Sequence, residues 1–126
     1  MLDIIGTWRL VEVRARDPKG QPVPSQYGHP PMGVLQIGPQ RMMAVLGDSR
    51  PPAAGEERFY TSYTGPWRFD GATLVTRVDG CSDPARMGTD QVRQVRAEED
   101  RVVLVPPPRL FQGVMQQPEL VWERLA

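Results

Sequence analysis

The chain has a single cysteine, Cys81, a single lysine, Lys19, and a single histidine, His29. With one thiol no intramolecular disulfide can form, and no cysteine cluster can hold zinc. An excess of charge of one sign is missing too: fifteen basic residues against fifteen acidic ones give a formal net charge of zero. Nucleic acid and anionic membrane surfaces both select a basic excess, so neither is expected as a partner. No apolar run comes near the ~20 residues needed to cross a bilayer. Residues 1–5 lead straight into a strand-like segment with no charged and apolar leader, so a soluble cytoplasmic protein is the expectation. Fourteen of the fifteen basic residues are Arg, a bias that GC-rich coding produces without arginine-specific chemistry. Apolar periodicity of the helical kind is also lacking.

What the chain does have is a series of short β-branched and aromatic segments separated by turn residues. Residues 5–16 read as a first strand, with Trp8, Leu10 and Glu12 on one face and Thr7, Arg9, Val11 and Val13 on the other. Asp17-Pro18-Lys19-Gly20 stops it, because proline lacks a ladder donor and glycine permits the turn. Residues 21–31 hold four prolines together with Tyr27 and His29 and read as an irregular loop. Residues 32–37 and 41–46 are apolar strands around Gly38-Pro39-Gln40, a connection of hairpin length. Residues 47–58 form a polar loop running into a helical turn near residues 56–61. Residues 63–69 place Tyr63, Trp67 and Phe69 on one face. Asp70-Gly71 then suits a two-residue turn with positive φ angles, and residues 74–79 pair back. A loop over residues 80–88 carries Cys81, Asp83 and Met87. Strands follow at residues 89–97 and 101–105, a loop or partial hairpin at 109–118, and a last strand at 119–125. About eight strands joined by tight turns predict an all-β, antiparallel, up-and-down eight-stranded β-barrel, one domain over residues 1–126. Its first and last strands pair, which removes both open edges.

Gly6-Thr7-Trp8 opening the first strand, and Trp122 followed by Arg124 closing the last, resemble the signature of the lipocalin and fatty-acid-binding-protein superfamily. The chain is similar over nearly its whole length to bacterial and fungal lipocalin-like domain proteins. The matching pieces are Gly6-Thr7-Trp8-Arg9-Leu10-Val11, Gly33-Val34-Leu35-Gln36-Ile37, Val78-Asp79-Gly80, Asp83-Pro84, Gly88-Thr89-Asp90-Gln91-Val92-Arg93 and Leu120-Val121-Trp122-Glu123-Arg124. The resemblance implies a lipocalin-like barrel closed structurally by Trp8, Trp122 and Arg124, with Arg124 packed over Trp8. It also implies small-molecule binding or, as in some related barrels, cyclisation chemistry. Two departures limit what carries over. Thr76 and Arg77 stand where the family strand often has two histidines, so histidine-based chemistry is not implied. Leu120 stands where fatty-acid-binding proteins place an Arg that grips a carboxylate, so that site is not transferred.

Arg93 and Gln91 share a strand face with Val95 and Ala97. An interior Arg93 needs a partner, either Asp79, Asp83 or an acidic ligand, because an unpaired buried charge is costly. On the outer face it is simply solvated, and the residue pattern leaves both facings open. Asp79 and Asp83 are candidate acid–base carboxylates, although aspartates in such loops also cap turns. Cys81 has no general base near it in sequence. Met43, Tyr63, Trp67 and Arg93 are expected to wall a cavity for a small, mainly hydrophobic molecule with a polar end. Such residues suit a filled core equally, and a barrel of about eight strands accommodates either. Three functions follow: binding of that molecule, a cyclase or isomerase working through Asp79 or Asp83 in the same cavity, and haem carriage through His29. The first needs no cofactor and no metal, and the chain is expected as a monomer or homodimer.

Overall fold

The computed structural model describes residues 2–126. Its strands, joined in one ten-stranded sheet, are β1 (Gly6–Arg16), β2 (Pro31–Ile37), β3 (Arg41–Asp48), β4 (Tyr60–Phe69), β5 (Thr73–Arg77), β6 (Gly80–Cys81), β7 (Asp90–Glu98), β8 (Arg101–Val105), β9 (Arg109–Phe111) and β10 (Val114–Arg124). Two are accessories: β6 pairs with β4, and β9 folds back on β10. The remaining eight run β1-β2-β3-β4-β5-β7-β8-β10, every neighbouring pair antiparallel. β10 then pairs with β1 from Trp8↔Arg124 to Arg16↔Gln117, which closes the sheet into a barrel. The helical content of the described residues is one 3₁₀ turn at Pro84–Arg86. No helix among them is long and apolar enough to cross a membrane.

The closed end explains the glycine, the tryptophan and the arginine together. Trp8 is buried, and its indole N–H donates to Ile4 O at 3.0 Å. The Arg124 guanidinium lies 4.2 Å from the Trp8 ring centre. It donates to Ile5 O and to Asp3 O, each at 2.7 Å. Gly6 has φ +147°, and a Cβ there would meet Arg124 Nη1 and sit 2.7 Å from Ala126 O. A side chain at residue 6 would therefore push the arginine off the indole, and only glycine tolerates both the space and the backbone angle.

Inward-facing Leu35, Ile37, Met42, Ala44, Leu46, Leu74, Val102 and Leu104 alternate with outward residues and form the core with Trp8, Leu10 and Trp122. On β1 the alternation slips. A register shift between Leu10 and Glu12 marks a bulge, so Glu12 turns to solvent and Val13 packs against the core, the reverse of strict alternation. The expected helical turn at residues 56–61 is instead extended chain entering β4, with Phe59 O accepting from Asp48 N. The Asp70-Gly71 turn also differs. Only Gly71 takes a positive φ, while Asp70 Oδ1 accepts from Ala72 N at 2.9 Å and Thr73 N at 2.7 Å. The carboxylate rather than a second positive φ holds that turn. The segment at 109–118 is a hairpin, with Val114↔Phe111 in register.

Part of the outer surface is apolar but covered. Val103 and Val121 are register partners on β8 and β10 and are both 0% exposed, yet they lie outside the interior core. Above them Arg14 on β1 reaches Glu98 on β7 at 2.7 Å, and Arg96 meets Glu119 at 3.0 Å. This lattice of arginine and glutamate spans four adjacent strands and keeps water off the two valines.

Candidate functional site

The interior is not filled. A cavity of about 810 Å³ lies toward the end of the barrel away from Trp8 and Arg124. Its apolar wall includes Leu46, Phe59, Tyr63, Leu104, Leu120 and Trp122. Tyr27 reaches it from the proline-rich loop, where its ring meets Phe59 edge-on at 5.0 Å. That loop is tied down by Gln116, whose side-chain amide donates to Pro24 O at 2.7 Å.

The facing of β7 decides the polar content. Gln91 and Arg93 are in register with Thr76 and Leu74, both buried on the inner face of β5. Cross-strand partners point to the same side of a sheet, so Gln91 and Arg93 point inward and both line the cavity. Arg93 sits among protein atoms, with the cavity leaving part of its surface open. A guanidinium carries five N–H donors, and here one is used within the protein, Nη1 donating to Val92 O at 2.9 Å. No carboxylate among the described residues forms an ion pair with it. Burial pulls its pKa below the ordinary value, while Tyr63 and Tyr27 act in the opposite sense. The Tyr63 hydroxyl is pushed up by burial and drawn back by the charge of Arg93. Gln91 is 5% exposed; its side chain lies close enough to the Tyr63 hydroxyl to favour the phenolate, but neither Nε2 nor Oε1 makes a hydrogen bond of full geometry. Trp122 Nε1 is likewise buried and unpartnered.

Two further arginines stand at the rim. Arg86, in the 3₁₀ turn, lies 5.7 Å from the Tyr63 ring centre. Arg109 faces the Gln26 carboxamide, whose oxygen, turned toward it, accepts from Nε at 3.1 Å. Both oppose the charge of Arg93. The carboxylates on the same rim are committed elsewhere. Asp90 meets Arg77 at 3.2 Å on the outer face, and Asp83 Oδ1 accepts from Ala85 N at 3.0 Å to cap the 3₁₀ turn.

The residues expected from sequence divide sharply. Tyr63 and Arg93 line the cavity. Met43 does not: it is 53% exposed on the outward face of β3, because Met42, Ala44 and Leu46 take the inward positions. Trp67 packs against the core at the closed end, its indole N–H donating to Gly38 O at 2.8 Å in the β2–β3 turn. Asp79 stands on the outer surface, bonded to Arg41 at 2.6 Å and to Thr64 Oγ1 at 2.8 Å, and these bonds hold its carboxyl below the usual carboxylate range. It does not line this cavity and so is not placed for acid–base work in it. Asp83 is at the rim, exposed. His29 is exposed beside a separate small hollow with Pro24 and Arg50, so haem in the barrel would not meet it. Trp8 and Arg124 meet as expected, whereas Trp122 also walls the cavity. Among the described residues no group of His, Cys, Asp and Glu is arranged to hold a metal ion. Tyr27, Phe59, Arg86 and Arg109 come to the site from loops and short elements, where no periodicity signals a facing.

A family model described as a lipocalin-like domain matches residues 5–125. Neither a curated protein nor a solved structure matches the chain.

Proposed function

We propose that this chain, which belongs to the lipocalin-like domain family, binds a small, mainly hydrophobic molecule with a polar end inside the barrel. The observation that carries the reading is the cavity of about 810 Å³. Pockets for small ligands commonly measure about 300–1,000 Å³ and combine apolar walls with a few polar groups. Here the walls are Leu46, Phe59, Tyr63, Leu104 and Leu120, and the polar groups at depth are Gln91 and Arg93. Burying an apolar body against those side chains supplies affinity, and the polar pair orients the molecule. Binding needs no acid–base carboxylate in the cavity, which accords with Asp79 lying outside it. Titration with phenylnaphthylamine, an uncharged apolar fluorophore, tests the reading. It should give saturable fluorescence at one site per chain, and Leu104→Trp, which places an indole in the cavity, should abolish it while the far-UV spectrum stays that of a β-protein. Absence of saturable binding to the folded parent would defeat the proposal, as would full binding by the Trp variant.

A further inference from the structure

Arg93 singles out a class of ligand, and the inference from it rests on the binding reading above. We infer that the molecule is an organic anion, an apolar body ending in a carboxylate, sulfonate or phosphate group, and that Arg93 holds the anionic head. Arg93 is recessed in the cavity wall, bonds only Val92 O within the protein, and has no carboxylate partner. Of the two carboxylates that line the cavity, Asp90 is paired with Arg77 and Asp83 caps the 3₁₀ turn. A recessed charge without a counter-ion is costly to fold around. An oxyanion from the ligand supplies the missing charge and accepts from the guanidinium fork, the geometry in which arginine binds carboxylate and phosphate best.

A second observation points the same way. Gln91, two residues along on the same face of β7, is 5% exposed, and beside the Tyr63 hydroxyl neither of its amide atoms makes a hydrogen bond of full geometry. A head group accepting from both Arg93 and the Gln91 amide would satisfy Nε2, and a neighbouring hydroxyl on the ligand would satisfy Oε1. The rim carries Arg86 and Arg109 beside Asp83 and Asp90, and with Arg93 the cavity lining holds three arginines against two carboxylates, one of them paired outward with Arg77.

A matched pair of probes separates this inference from the broader one. Phenylnaphthylamine is neutral, and anilinonaphthalenesulfonate is nearly the same molecule with an anionic head. The parent protein should bind the sulfonate at least about tenfold more tightly, the scale of one charge-assisted contact. Arg93→Gln should remove that preference, read as the ratio of the two affinities within the one variant. Arg93→Lys, which keeps charge but not the fork, should restore part of it. If the parent binds both probes equally, the anion inference fails and the apolar cavity stands. If the preference persists in Arg93→Gln, the rim arginines select the charge and the role given to Arg93 is wrong. If neither probe binds the folded parent, both readings fall. The comparison of probes on the parent protein holds whether or not the variants fold.

Discussion

At one end of the barrel Arg124 stacks 4.2 Å from the Trp8 ring and donates to two backbone carbonyls. Toward the other, Arg93 has equal donor capacity and uses one bond, to Val92 O. The same side chain thus does two kinds of work. Arg124 lies with its π-face on the indole and two of its N–H groups bonded to backbone carbonyls, and it ties the last strand to the segment leading into the first. Arg93 is held in place by β7 with most of its donors left open to the cavity. A recessed charge without a counter-ion costs stability, and a preformed binding site is where such a cost is offset by a ligand. The distinction lies in placement and partners, since Arg124 lies exposed across the closed end while Arg93 lines the cavity.

The largest effects should fall on the closed end. Trp8→Ala removes a buried indole and the surface on which Arg124 rests, and it should destabilise the fold by about 4 kcal/mol, lowering Tm by about 10–15 °C. Arg124→Met loses the cation–π contact and two charged hydrogen bonds and should cost about 2 kcal/mol. Both losses are read by thermal unfolding followed through far-UV circular dichroism. Neither variant should lose the preference for the anionic probe while folded. An Arg124→Met protein as stable as the parent would erase the contrast between the two arginines.

The closed end was legible through the family resemblance, which two short motifs carry: Gly6 and Trp8 lie two residues apart on one strand, Trp122 and Arg124 two apart on another. Strand positions were legible locally, from short apolar runs and the turn residues between them. The cavity was legible only in part. Met42 and Met43 are adjacent and equally apolar, so composition could not choose which faces inward, and the register of β3 made Met42 the interior one. On β7 both faces mix polar and apolar residues, Gln91 and Arg93 against Val92 and Gln94, so the facing of Arg93 emerged only from its pairing with Leu74. The bulge near Val11 inverted the second half of β1 with no signal in residue type. Tyr27 entered through a proline-rich loop whose path depends on contacts such as Gln116 with Pro24, far apart in sequence.

The outer lattice sharpens the comparison through pH. Hydrogen bonding from Arg14 holds the Glu98 carboxyl down from 4.5 to about 2. Because the folded value lies below the unfolded one, the bond stabilises fully above pH 4.5 and its contribution is lost as pH falls toward 2. The urea midpoint of the parent should therefore drop across that window, and Glu98→Gln should flatten the drop. Arg93 has no carboxylate partner, so Arg93→Met should leave the acid limb parallel to that of the parent. A changed slope in Arg93→Met would reveal a carboxylate paired with it in solution.

The smallest expected effect is the most diagnostic, because its sign is reversed. Arg93→Met exchanges a recessed, unpaired charge for an apolar chain of similar length, surrounded by Tyr63, Leu104 and Leu120 in the cavity. Replacing a poorly compensated buried charge by an apolar group is commonly neutral or stabilising. The ligand-free variant should gain about 1 kcal/mol and melt a few degrees higher than the parent. Adding anilinonaphthalenesulfonate in excess should reverse the order, since a ligand stabilises the native state in proportion to its occupancy, and only the parent binds this anion well. A ligand-free Arg93→Met protein that melts well below the parent would show that Arg93, like Arg124, is paired and structural, and the two ends of the barrel would then differ in position alone.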